Sequence, residues 1–259
     1  MLRVLISVLL SLMMFQTQAY SAVKGGIEKR ELKNYNQIID SVSGSGIAGA
    51  KVKVPHKRFV TVTDADGYFA LDVKIDAPTV LSVEKDGYRP FSLTINKLSS
   101  EPLIIGIEKN SLNAVSVETE LIHLGDDKFS ENSANAGDFV SKSVGPYYSK
   151  NFTVPSFSTN DKVYLVIGSV IGIDTLRARD AGQSRVVSAY ASPAEIFCNG
   201  NKICELHING DRQEIEIPKQ ILRKNGQNSL TMKAGKNLFQ TAFIDYDDIE
   251  FTNISVEIR

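Results

Sequence analysis

The chain has 259 residues, 42% of them apolar and 23% charged, with 29 basic against 30 acidic side chains. That composition excludes collagen-like structure and wholesale disorder, and a formal net charge of -1 offers no field for a nucleic-acid partner. Only the first residues form a long apolar run, which excludes a polytopic helical membrane protein.

The chain opens on Arg3 and an apolar stretch, Val4 to Phe15, interrupted only by Ser7 and Ser11. Small residues follow at Ala19, Ser21 and Ala22. A positive start, a short apolar middle and small residues beyond it form the pattern of a secretory signal peptide, and the run is shorter than the roughly 20 residues that span a bilayer. The expectation is a secreted or periplasmic protein with residues 1–21 as signal peptide and no transmembrane anchor after cleavage. Residues 22–33 form a polar linker.

From residue 34 to 110, short β-rich runs alternate with turns. Gln37 to Val42, Ala50 to Val54, Val60 to Thr63, Tyr68 to Val73, Val80 to Glu84, Phe91 to Ile95 and Leu103 to Ile107 predict seven strands without a helical period. Such spacing suggests an antiparallel sandwich. Three motifs recur in order: Gly46-Ile47-Ala48-Gly49-Ala50-Lys51-Val52-Lys53-Val54, Thr63-Asp64-Ala65-Asp66-Gly67-Tyr68-Phe69, and Val83-Glu84-Lys85-Asp86-Gly87-Tyr88. Together they resemble the carboxypeptidase regulatory-like domain, a small transthyretin-like sandwich found beside metallopeptidases and in exported bacterial proteins. The resemblance implies a spacer or docking module without catalytic residues. Asp64, Asp66 and Asp86 are explained by turn chemistry, with calcium ligation as the alternative.

Strands still dominate residues 114–259. Val115 to Ile122, Phe152 to Val154, Val163 to Ile167, Ala194 to Phe197, Ile203 to Ile208, Glu214 to Ile217, Asn228 to Lys233 and Ile249 to Ile258 are the candidates. Pro218 to Lys224, with proline at its start and Asn225-Gly226 at its end, predicts a short helix. Asn209-Gly210-Asp211 predicts a hairpin turn, as does Asn199-Gly200 between Cys198 and Cys204, the only cysteines. A hairpin there sets the two sulfurs on neighbouring strands, and export to an oxidising compartment makes a disulfide the expected product. A redox pair would be spaced C-x-x-C, and zinc would need more ligands than His207 adds.

This block resembles a galactose-binding-like jelly-roll, the sandwich of many carbohydrate-binding modules. The residues that carry the likeness are Leu206-His207-Ile208-Asn209-Gly210, Pro218 to Leu222, Lys224 to Met232, and the closing Asp245-Tyr246-Asp247-Asp248-Ile249-Glu250-Phe251. The fold class expected for the whole chain is therefore all-β, with two β-sandwich domains. In galactose-binding-like sandwiches calcium commonly bridges the first and last strands. The resemblance thus implies Glu118, Glu120, Asp247 and Asp248 as calcium ligands, with Asp126 and Asp127 close in sequence; a solvated acidic rim is the equal alternative.

No zinc-peptidase, P-loop, nucleophile-elbow or dinucleotide motif occurs, and the three histidines, His56, His123 and His207, show no metal-ligand spacing. No catalytic residue and no required cofactor are assigned. Tyr147, Tyr148 and Tyr190, with Arg177, Arg179 and Arg185, fall in predicted loops and could form a sugar-binding surface, or could pack sandwich edges and solvated faces. Tryptophan, the usual stacking residue, is absent. The expected function is non-enzymatic glycan recognition through the C-terminal sandwich. The alternative is a structural or assembly protein of the cell envelope that binds another protein.

Overall fold

A computed structural model of the chain describes residues 35–98, 101–127, 139–184, 191–236 and 248–259. The expected signal peptide and linker lie outside the described residues. Two hydrophobic clusters divide the remainder, one built by residues 38–107 and one by residues 117–258.

The first cluster belongs to seven strands: β1 (Asn36–Asp40), β2 (Lys51–Val54), β3 (Phe59–Val62), β4 (Tyr68–Phe69), β5 (Thr79–Glu84), β6 (Phe91–Ile95) and β7 (Ile104–Ile107). They pair as β4-β1-β7 and β3-β2-β5-β6. The period-two pattern of β2 works as its sequence requires: Val52 and Val54 are buried while Lys51 faces out. The turn before β4 is an aspartate turn, in which Asp64 Oδ1 accepts the backbone N–H groups of Asp66 and Tyr68 at 2.9 Å each. Asp40 ends β1 in the same manner, taking the N–H groups of Val42 (3.0 Å) and Ser43 (2.8 Å) and the hydroxyl of Tyr88 (3.1 Å).

The second cluster belongs to nine strands: β8 (Ala114–Glu118), β9 (Ile122–Leu124), β10 (Tyr147–Thr153), β11 (Val163–Ile171), β12 (Ala194–Cys198), β13 (Asn201–Leu206), β14 (Gly210–Glu216), β15 (Gln227–Lys233) and β16 (Ile249–Ile258). One sheet runs β14-β11-β16-β8 with β9 also on β16, and the facing sheet runs β10-β15-β12-β13. The chain is thus all-β, with two sandwiches.

Three local expectations are corrected. Asn209-Gly210 is no hairpin, because β13 and β14 belong to opposite sheets; instead Asn209 Oδ1 accepts the Ile173 N–H at 2.7 Å and pins the crossing. Residues 218–224 make only a single 3-10 turn, Lys219–Ile221, because Leu222 already has extended backbone. The described α-helix is α1 (Leu176–Asp180), in a stretch expected to be loop. Thr175 caps it by accepting the Ala178 N–H at 3.2 Å, and Ala178 enters the core.

The expected disulfide is also corrected: Cys198 and Cys204 are free thiols. The β12–β13 hairpin forms, with Asn199 and Gly200 both at positive φ as its turn demands. Its register sets Cys204 opposite Ile196 and Cys198 opposite Asn201, with an irregularity between Ile196 and Phe197. The sulfurs therefore occupy diagonal positions, about 7–8 Å apart at the backbone, where a bridge needs less than about 7 Å. Cys198 is sealed in the core, and burial pushes its thiol up to about 11.

Two predictions follow from this architecture. Alkylation of the native protein should label Cys204 before Cys198, and intact mass should not change on reduction beforehand. For Asp40, the Ser43 N–H and its other donors hold the carboxyl down at about 2. A depressed carboxyl stabilises the fold fully above its ordinary value near ~3.9 and loses that contribution as pH falls through the folded value. Asp40→Asn should therefore melt below the wild type at pH 7, with the gap closing between pH 4 and pH 2 in circular-dichroism melts.

Candidate functional site at the seam between the sandwiches

The inner face of β16 follows its pattern: Ile249, Phe251, Ile254, Val256 and Ile258 all join the larger core. Its other face carries Glu250, Thr252 and Glu257, which in a one-sided sheet would meet water. All three are buried instead. The first sandwich lies over them, bringing β5 and β6 against β11 and β6 against β16.

The seam is polar and directional. Asp211 of β14 accepts both the backbone N–H (2.9 Å) and the hydroxyl (2.8 Å) of Thr94, and also the Ser169 hydroxyl at 2.7 Å. Ser169 Oγ stands 3.0 Å from Ser92 Oγ. Arg89 Nη1 reaches Glu257 at 3.2 Å. Lys53 Nζ bridges Glu84 (2.5 Å) in its own sandwich to Glu120 (3.3 Å) in the other.

At one end of the seam two imidazole–carboxylate pairs stand side by side. His56 sits in the 3-10 turn Pro55–Lys57 that follows β2, where proline pre-sets the backbone. Its Nε2 lies 2.5 Å from Glu250 Oε2, with side chains 6% and 0% exposed. On β9, His123 is the cross-strand partner of Glu250, so both project from the same face. Its Nδ1 is 2.6 Å from the Ser141 carbonyl and its Nε2 is 3.1 Å from Asp248 Oδ1. Burial opposes charge on the His123 ring. Asp248, the Ser141 carbonyl and the charge of Glu250 outweigh that penalty and raise it above the usual histidine range. Phe139 fills the space between the pairs, its ring 5.9 Å from that of His56 and 4.9 Å, edge-on, from that of His123.

Asp248 is held just before β16 by local backbone. Its Oδ1 accepts the N–H groups of Asp126 and Asp127, each at 3.1 Å. Gly125 makes this approach possible: it has φ +152°, and a Cβ there would fall 1.8 Å from Asp248 Oδ1. Asp127, at φ +60°, accepts the Ser143 N–H at 2.9 Å and stands 3.7 Å from His123 Nδ1.

Beside these pairs a cleft of about 840 Å³ opens between the sandwiches. The first sandwich lines it with His56, Lys57, Asp76, Thr79 and Asn96, and the second with Phe139, Gly172, Gln183, Ser184 and Asn209. Ser184 donates to Asp174 behind the wall, and burial pushes that carboxyl up to about 7 against the opposing charge of Arg179.

The residues expected to form sites are distributed differently. Tyr147 and Tyr148 lie on β10, not in a loop. The Tyr148 ring packs edge-on against Phe251 at 5.5 Å, and its hydroxyl donates to Glu118 at 2.5 Å. Arg177 and Arg179 ride on α1, while Arg185, Tyr190 and Asp247 lie outside the described residues. Strands β8 and β16 are indeed neighbours, but Glu118 faces Ile254, six residues along from Asp248. At about 3.3 Å per residue that is close to 20 Å. Glu118 spends its oxygens on Tyr148, Lys150 and the backbone of Thr119 and Glu120, and Glu120 turns to Lys53. Of the three implied calcium ligands among the described residues, only Asp248 joins the seam cluster. His56, His123, Phe139 and Glu250 carried no local signal; the β9–β16 pairing brings His123 to Glu250, and the docking of the first sandwich brings His56.

No family model and no curated protein matches the chain. Among solved structures, BuGH86 in complex with neoagarooctaose aligns at 12% identity and TM-score 0.30, over 81% of this chain and 27% of that one. A β-porphyranase of glycoside hydrolase family 86 from the human gut bacterium Bacteroides plebeius aligns at 8% identity and TM-score 0.30, over 76% and 38%. A rhamnosidase from Novosphingobium sp. PP1Y aligns at 13% identity and TM-score 0.25, over 88% and 26%. The chain spans less than two-fifths of each of these proteins, and at such scores the likenesses fix neither its fold nor its ligand.

Breaking the inter-sandwich pair from one side tests the seam. His56→Ala leaves Glu250 buried without its imidazole partner, and breaking a buried pair from one side costs about 3–5 kcal/mol. Glu250→Gln, which removes the charge, should cost less. The double variant should recover much of the loss, giving a clear coupling in urea titrations.

Proposed function

We propose that this chain is an exported binding protein whose ligand is a glycan seated in the cleft between the two sandwiches, with no catalytic step. The observation that carries this reading is the cleft itself. Its volume of about 840 Å³ falls in the range of ligand pockets, roughly 300–1,000 Å³. Its walls combine an aromatic ring, Phe139, with amide, hydroxyl and carboxylate groups from both sandwiches. Sugars offer apolar ring faces edged by hydroxyls that donate and accept, and a mixed wall of this kind answers both. Asn96 is exposed at the rim and serves as the adaptable polar contact. On this reading the first sandwich forms half of the site, and Tyr148 of β10 is a packing residue.

A second reading, a structural or assembly role in the cell envelope, has its own support. β3 is a sheet edge, and Val60 and Val62 point outward from it at 55% and 57% exposure. An exposed apolar edge is suited to strand addition by a protein partner.

A glycan array probed with the mature chain, followed by titration of any hit, separates the two. Binding that weakens about tenfold, or 1.4 kcal/mol, in Asn96→Ala and in Phe139→Ala supports the cleft. Silence across neutral and acidic glycans, or a hit indifferent to both changes, overturns it. Capture of a protein neighbour that is lost in Val60→Lys/Val62→Lys would establish the second reading.

A further inference from the structure

Two carboxylates, Asp127 and Asp248, share one imidazole, His123, and no lysine or arginine pairs with either among the described residues. One ligand atom from each of the three lies within 4.8 Å of the others. We propose that His123, Asp127 and Asp248 bind a divalent transition-metal ion, zinc by preference, at the closed end of the seam.

The hydrogen-bond chemistry of His123 supplies the first support. The Ser141 carbonyl can only accept, so Nδ1 carries the proton and donates across the 2.6 Å separation. Its Nε2 faces Asp248 Oδ1 at 3.1 Å. At that distance one cation, a proton or a metal ion, joins the two. Two ligands on one tetrahedral zinc ion, each at about 2.0–2.1 Å, stand roughly 3.3 Å apart, which matches this spacing. The Nδ1–carbonyl bond is also the outer contact that fixes the ring of a metal-bound histidine.

A second observation is independent of the spacing. Asp248 is fully buried, and its Oδ2 has no hydrogen-bond partner among the described residues. A buried carboxylate oxygen without a donor costs several kcal/mol unless a positive centre meets it. Charge completes the case. A divalent ion balances both carboxylates, whereas a single proton on the ring balances only one. Asp127, 39% exposed, offers the ion a way in. An imidazole nitrogen among the ligands favours zinc over calcium, which takes oxygen ligands in larger number. The site does not depend on the glycan proposal, since its ligands are not the cleft's sugar-facing groups.

The test uses the mature chain stripped with chelator, titrated calorimetrically with Zn²⁺ alone and with Ca²⁺ alone, with melting followed in parallel. The expected result is about one zinc bound per chain and a melting temperature that rises with zinc. Removing even an outer partner of a metal ligand typically weakens binding about 10–100-fold, so Asp127→Asn and His123→Gln should weaken zinc by at least about tenfold. His207→Gln, on the surface beside Glu205, should bind as the wild type does. If His123→Gln fails to fold, Asp127→Asn carries the test, because its partly exposed side chain lies outside both cores. Cobalt substitution adds a visible absorption band that requires the bound ion. No zinc-dependent rise in melting temperature, undiminished affinity in Asp127→Asn, loss of binding in His207→Gln, or a response to calcium only would each overturn the assignment.

Discussion

The structure depends on one constraint: the outward face of β16 is polar by sequence and buried in fact. Glu250, Thr252 and Glu257 lie there with Ser169 from β11, and none of them can remain dry without partners. The first sandwich supplies a partner to Glu250, Ser169 and Glu257 through His56, Ser92 and Arg89, with Lys53 and Thr94 anchoring its flanks. The inner residues of β16 seal one sandwich core while its outer residues hold the second sandwich in place. A buried strand that is apolar on one face and ionic on the other explains why two separate cores come with a fixed seam.

An apolar seam of the same area would have held the two units together without specifying how they meet, because hydrophobic contact is non-directional. Hydrogen bonds and ion pairs are directional, and each here joins a particular strand position to another. Asp211 accepting both donors of Thr94 ties the edge strand β14 to β6 in one register. The same choice has an energetic cost, since charges are removed from water and only close geometry returns the loss. Where that geometry is complete, as for Asp211, the seam is stable. Where it is incomplete, as at Asp248 Oδ2 and Glu250 Oε1, a carboxylate oxygen is left without a donor beside an open cleft.

The architecture was legible in the sequence wherever burial is one-sided. Val52 and Val54, the aspartate turn at Asp64, and Tyr88 closing the sandwich end on Asp40 all follow from period-two alternation and turn chemistry. The paired first and last strands of the larger sandwich were also anticipated. Legibility failed where a distant element overrides a local signal. Asn209-Gly210 has a hairpin's composition but crosses between sheets, and α1 hid in a polar stretch because only Thr175 and Ala178 mark it. The cysteines failed for a finer reason: the hairpin was right, but its register and irregularity place them on a diagonal.

The site was less legible than the fold because its members are spread over the chain from His56 to Glu250 and each has an ordinary explanation alone. His56 follows a proline in a turn, His123 sits in a three-residue strand, and Glu250 occupies the solvent phase of an alternating strand. Alternation assigns Glu250 to water correctly for an isolated sheet; the error enters only when a second sandwich covers that face. The one local trace is Gly125, where a side chain would collide with Asp248, so that glycine, Asp126 and Asp127 form a cradle for a carboxylate arriving from the far end of the chain. Polar residues in the outward phase of a long, otherwise apolar strand, together with a Gly-Asp-Asp turn on its neighbour, therefore mark the point where a second domain docks. At that point desolvated charge accumulates, and electrostatic interactions there are stronger than at any solvated rim.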